Sequence, residues 1–167
     1  RDGRARDEDR RVERALALYE AVVAEGATHE AFHRFSVLLR GEGSKEFGMT
    51  TWHVISDADL QPKGKLDPAA EDREVAFADM YAVLWLFERA KVALDRDLVS
   101  VDVLMSTLGF HFWWWGQVLR DLNGPKASQA MHELALRAEV WAQSSGQLED
   151  WTQRCVKDFS GCSARSR

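Results

Sequence analysis

The chain has 167 residues, 46% of them hydrophobic and 29% charged, with 3 Pro, 11 Gly and a formal net charge of −5. This composition excludes an intrinsically disordered chain and the collagen-like and proline-rich classes, and the length suits one domain with its own core. The acidic balance argues against a broad nucleic-acid-binding field, and no run of about 18 apolar residues is present to span a membrane.

Taken in chain order, the apolar period is helical almost throughout. Residues 1–9 read as a polar lead-in of mixed charge. Val12, Ala15, Leu16, Tyr19, Val22 and Val23 recur at three- and four-residue steps and predict a first helix over about 7–25, stopped by Gly26. Thr28 is the expected N-cap of a second helix with the stripe Phe32, Phe35, Leu38 and Leu39. Residues 41–67 form a long irregular connection, read as an ordered loop or a short helix despite the β-branched run Thr50–Ile55. Asp67-Pro68 opens a long helix to about Arg96, apolar around more than half its circumference and therefore expected at the centre of the bundle. Ser100 caps a helix through Leu108, Gly109 allows a break or bend, and helix continues to about Leu122. Asn123-Gly124-Pro125 punctuates the chain, a helix over 126–144 ends near Gly146, and a last helix carries Leu148, Trp151, Cys155 and Phe159. The expectation is an all-α, single-domain bundle of six or seven helices over 10–159, with a disordered tail at 160–167.

Three groups of residues invite chemistry. His29-Glu30-Ala31-Phe32-His33 is an H-E-x-x-H pentad. On a helix it would place His29 and His33 on one face to hold zinc, with Glu30 activating the bound water. Against that stand its position in a first helical turn, the charged Arg34 after it, and no third ligand with motif support among His53, Glu71, His111 and His132. A structural or surface histidine pair is the preferred reading. Glu88 falls within the apolar arc of the long helix and is expected as a buried carboxylate. Its functional reading is a carboxylate of raised pKa or a hook for a basic group on a partner, and the preferred reading is an ion pair with Lys91 or a snorkelling surface residue. In Phe110-His111-Phe112-Trp113-Trp114-Trp115, the residues Leu108, Phe112, Trp115, Leu119 and Leu122 make a complete core stripe. Phe110, Trp113 and Trp114 then point elsewhere, either under a second layer formed by the 126–144 helix or at a partner interface. Gly109 and Gly116, seven apart on one face, would let another helix come close.

Phosphate-binding, dinucleotide-binding and nucleophile-elbow motifs are absent from the sequence. Basic residues are scattered and not interleaved with aromatics, which argues against single-stranded nucleic acid as a ligand. Cys155 and Cys162 can pair, but two reduced thiols in a cytosolic protein are the simpler reading.

The order of several segments resembles a bacterial family of small helical domains of unassigned function. The resemblance rests on Arg10, Arg11 and Arg14, on Phe32, Phe35 and Leu38-Leu39, and on the run Leu84-Trp85-Leu86-Phe87-Glu88-Arg89-Ala90. It continues through Asp97-Leu98-Val99-Ser100, Leu104, Gly109 and Trp114. It covers about residues 10–122. It implies a helical module on the inside of the cell that often follows one N-terminal membrane helix, and it supplies no catalytic residues.

The expectation from the sequence is a non-catalytic binding module without a cofactor. It meets a protein partner or a second copy of itself through Phe110, Trp113 and Trp114. It is placed in the cytoplasm, at the inner face of a membrane if a segment upstream of Arg1 tethers it. The alternative is a zinc-dependent hydrolase built on His29, Glu30 and His33.

Overall fold

The computed structural model describes residues 2–39, 55–64 and 74–157. Within them run six α-helices: α1 (Asp2–Val23), α2 (Ala27–Leu39), α3 (Glu74–Asp95), α4 (Val101–Val118), α5 (Ala127–Ser144) and α6 (Leu148–Val156). The described residues contain no β-strand, only one isolated bridge between Ser56 and Asp121. The chain is an all-α bundle, as its hydrophobic period requires.

The centre of the bundle is α4, not the long helix before it. From Leu108 to Val118 every α4 residue except Phe110 and His111 is buried. Helix α5 packs most extensively against α4, and α1 lies against it too. The α2 rings also reach α4: Phe35 stacks on Trp115 at 5.5 Å, and Phe32 meets the same indole edge-on at 5.6 Å. Among its described side chains, helix α3 buries only Met80, Val83, Leu84, Leu86, Phe87 and Ala90 of its apolar residues, with Phe87 edge-on to Phe112 of α4 at 5.4 Å.

Gly109 neither breaks nor ends α4. Its missing side chain makes room for α6, since a Cβ there would lie 2.8 Å from Cη2 of Trp151. At Gly116 a Cβ would lie 2.3 Å from the Cβ of Ala135, so α4 and α5 touch backbone to side chain at that level. The two glycines thus serve the close approach that their spacing suggests.

Helix α1 starts at Asp2, so the expected polar lead-in is the exposed first part of this helix. Further along, α1 clasps the end of α3. Asp97 sits in the left-handed region (φ 55°), with Leu98 N–H donating to Ala93 O and Asp97 N–H to Leu94 O, a Schellman ending. Arg11 Nε–H donates to Asp97 O at 3.1 Å, its guanidinium pairs with the Asp97 carboxylate, and Arg14 donates to Leu98 O at 3.3 Å. Two arginines therefore bond the carbonyls of the turn that follows α3. Arg11, Arg14 and Asp97-Leu98, far apart in sequence, are one contact in space.

The described part of the 41–67 connection is ordered. Ile55 is fully buried and its N–H donates to Val118 O at 3.0 Å. A 3-10 helix follows over Asp57–Leu60. The Asp57 carboxylate accepts the N–H groups of Asn123 and Gly124 at 2.9 and 2.7 Å, which pins the segment to the α4–α5 turn. The expected caps at Asp67-Pro68 and the tail at 160–167 lie outside the described residues. So do Thr50 to His53, Glu71 and Phe159.

The Gly116 contact generates a stability prediction. Gly116→Ala forces two backbones apart and should cost about 1–3 kcal/mol in urea unfolding, despite alanine's better helix propensity. Gly3→Ala, on the same kind of backbone with open space around it, should be neutral or stabilising. Equal effects at the two positions would contradict the packing described.

Candidate functional site

The H-E-x-x-H pentad lies in the first turns of α2. His29 Nδ1 is 2.6 Å from Val22 O and donates to it, which leaves the lone pair on Nε2. The imidazole thereby closes the C-terminal end of α1. The next residue, Glu30, faces the guanidinium of Arg34, one turn further along, at 3.5 Å. Arg34 in turn makes two 2.8 Å hydrogen bonds with Asp79, a carboxylate only 4% exposed. This pairing raises the Arg34 pKa further. His33 is exposed. Together with Glu25 and Arg34, the three pentad residues line a shallow pocket of about 440 Å³. Among the described residues, no three His, Cys, Asp or Glu side chains converge as metal ligands. His132 is engaged elsewhere, with Nε2 2.8 Å from Leu122 O.

The aromatic surplus of α4 is core, which corrects the expected partner surface. Trp113 is 1% exposed, Trp114 8%, and Phe110 is half-buried. Trp113 Nε1–H donates to Glu139 Oε1 on α5 at 3.1 Å, and Glu139 is itself buried. Trp151 of α6 lies 6.1 Å from Trp113 and 6.0 Å from Phe110, while the Arg154 guanidinium sits 3.8 Å over the Phe110 ring. These rings are the floor on which the nine-residue α6 rests, held by area and by ring–ring geometry. The second-layer alternative is the one the fold uses, with α6 added to α5 as cover.

Cys155, fully buried on α6, is disulfide-bonded, which corrects the simpler reading of two reduced thiols. The other cysteine of the chain is Cys162, outside the described residues.

Glu88 is exposed and does not pair with Lys91, which corrects the buried-carboxylate reading. Lys91 instead bonds Asp95 at 2.6 Å and Glu133 at 3.1 Å, and Arg137 reaches Asp95 at 2.8 Å. These contacts raise the lysine pKa and lower that of Asp95. The reason lies in the width of the apolar arc of α3. One half is buried, while the other, with Tyr81, Trp85 and Val92, looks outward. Phe77, Tyr81 and Trp85 form a ladder of rings at 5.0 and 5.7 Å. Trp85 is 56% exposed, Val92 44% and Leu98 40%. Trp85, Glu88, Arg89, Val92, Ala93 and Leu98 line a groove of about 530 Å³.

This outward seam has an ordered charge pattern. At 3.6 residues per turn, Arg89 and Arg96 flank Trp85 and Val92 on one side and Glu88 flanks them on the other, where Asp95 is already taken by Lys91 and Arg137. Among the described residues, Glu88, Arg89 and Arg96 have no ion-pair partner. A second apolar groove, of about 510 Å³, is lined chiefly by Leu94, Val101, Met105, Leu136, Val140 and Trp141. Its polar neighbours are already used inside the chain: Arg137 by Asp95, and Asp102 by the Trp141 indole at 3.1 Å. The seam on α3 is therefore the candidate site.

No known family model matches the chain, and no curated protein or solved structure matches it either. The functional reading thus rests on the geometry above.

The α4–α6 contact also predicts an acid response. Burial, and then the Arg154 cation, hold the His111 imidazole below its ordinary value of 6.5. The unfolded chain takes up this proton more readily than the folded one, so the contribution is complete above 6.5 and is lost as pH falls below it. Unfolding midpoints of the native chain should drop over that range, and His111→Gln should flatten the drop. Parallel curves for the two proteins would contradict it.

Proposed function

We propose that this chain is a non-catalytic helical binding module and that it meets a protein partner through the outward seam of α3. The observation that carries the reading is Trp85. It is a large aromatic side chain left more than half exposed, on a helix whose other face is fully packed. Exposed aromatics bring much contact area for little loss of side-chain entropy, and they concentrate at protein contact sites. Here the aromatic is joined by Tyr81, Val92 and Leu98 and bordered by unsatisfied charges of both signs. Such a rim selects a partner by charge while the apolar centre supplies affinity.

The test places a photoreactive phenylalanine derivative at position 85 in cells. The expected outcome is a protein adduct of discrete mass that is suppressed when Arg89→Glu is added to the same chain. Absence of an adduct, or one indifferent to the charge at 89, contradicts the reading.

The competing proposal is a zinc-dependent hydrolase with His29 and His33 as ligands and Glu30 as base. One observation favours it: His29 is held by a backbone carbonyl in the tautomer that offers Nε2 to a metal. One disfavours it: Glu30, the intended base, lies against Arg34. Stoichiometric zinc in the purified protein, lost with His33→Ala, would establish this second proposal. Zinc content unchanged by that substitution would remove it.

The expected location, the cytoplasm at the inner face of a membrane, is in tension with the disulfide at Cys155. Disulfides persist in oxidising compartments and are rare in a reducing cytosol. The structure adds only that no described helix is long and apolar enough to cross a membrane.

A further inference from the structure

We infer that the partner of the α3 seam is a second copy of this chain, packed α3 against α3 about a two-fold axis that runs parallel to the helix. The inference rests on the binding reading given above. It starts from the arrangement of charge. Glu88 forms the negative edge, since Asp95 beyond it is already held by Lys91 and Arg137, and Arg89 and Arg96, seven apart, form a positive edge. The apolar pair Trp85 and Val92 lies between them.

A two-fold axis parallel to a helix carries each residue to the same height on the opposite side of the seam. The negative edge of one copy then lies along the positive edge of the other. Glu88 meets Arg89 of the second copy, and Trp85 and Val92 each pack on their own counterparts. This is the edge-to-edge pairing by which parallel helices choose partners, and it makes the surface complementary to itself, as a two-fold interface must be. An antiparallel arrangement puts Glu88 beside Glu88 and Arg89 beside Arg89 and is opposed by its own charges.

Pairing also satisfies what the monomer leaves open. Glu88, Arg89 and Arg96 have no ion-pair partner among the described residues, and the ring of Trp85 is uncovered on one side. The seam covers only about three helical turns, so the interface is small and the association is weak and concentration-dependent.

The experiment is sedimentation velocity on the full chain over a concentration series, with Glu88→Arg and Arg89→Glu made singly. Both positions are exposed, and circular dichroism checks that each variant keeps its helix content. The native chain should move from monomer towards dimer as concentration rises. Each single reversal creates like-charge contacts across the axis and should weaken dimerisation roughly tenfold or more. An equimolar mixture of the two variants restores opposite charges at both contacts and should dimerise again.

A native chain that stays monomeric at every soluble concentration overturns the inference. So does a dimer that both reversals leave intact, or a mixture that fails to reassociate. The crosslink from position 85 distinguishes a different partner from a different surface. An adduct with a different protein overturns the second copy while the α3 seam keeps its role, and no adduct at all overturns both.

Discussion

A methyl group at position 116 would sit 2.3 Å from the Cβ of Ala135, so α4 and α5 reach their observed separation only because residue 116 has no side chain. That close approach governs much else. It brings Glu139 within reach of the Trp113 indole and aligns α5 to carry α6 across the aromatic floor of α4. Gly109 repeats the device one pair of turns earlier by admitting Trp151. With α4 enclosed on this side by α5 and α6, and elsewhere by α1 and the rings of α2 and α3, Trp113 and Trp114 have almost no surface to offer.

Helix α3 is left with the opposite arrangement. Its inner half seals the core against α2 and α5, and its outer half keeps Tyr81, Trp85 and Val92 in view of solvent. A lone exposed apolar residue is ordinary on a protein surface. A contiguous strip with charged borders of opposite sign is better suited to recognition, because the borders reject wrong registers while the strip binds. The end of the same helix is held rigidly by Arg11 and Arg14, so the strip is presented on a fixed element. The pentad on α2 is used differently: His29 closes α1, and Arg34 joins α2 to α3 through Asp79.

Much of this was legible in the residues. The three- and four-residue apolar steps give the helices. Gly146, at φ 75°, ends α5 where a glycine is needed. Phe32, Phe35, Leu134, Trp151 and Cys155 face the core as their spacing indicates. The side of α3 that faces inward was not legible, because a wide apolar arc fixes an angle and not a neighbour. Glu88 was misassigned for that reason. The fate of Phe110, Trp113 and Trp114 depended on α6, a short helix whose docking is signalled only by Gly109. Two further constraints come from burial and not from periodicity. A buried indole N–H needs an acceptor, which is Glu139, and a buried Asp79 needs a cation, which is Arg34 from 45 positions away. Pairings so distant in sequence leave no periodic trace.

The central claim is that the aromatic excess of α4 is interior while the ring of Trp85 is the open one. The seven tryptophans offer a direct measurement. The chain labelled with 5-fluorotryptophan, with resonances assigned by single substitution, can be exposed to a soluble nitroxide at low protein concentration. The fluorine signal of Trp85 should broaden strongly and those of Trp113 and Trp114 should not, and Trp85 should regain protection as the protein is concentrated. Broadening of Trp113 or Trp114 with a sheltered Trp85 would contradict the account.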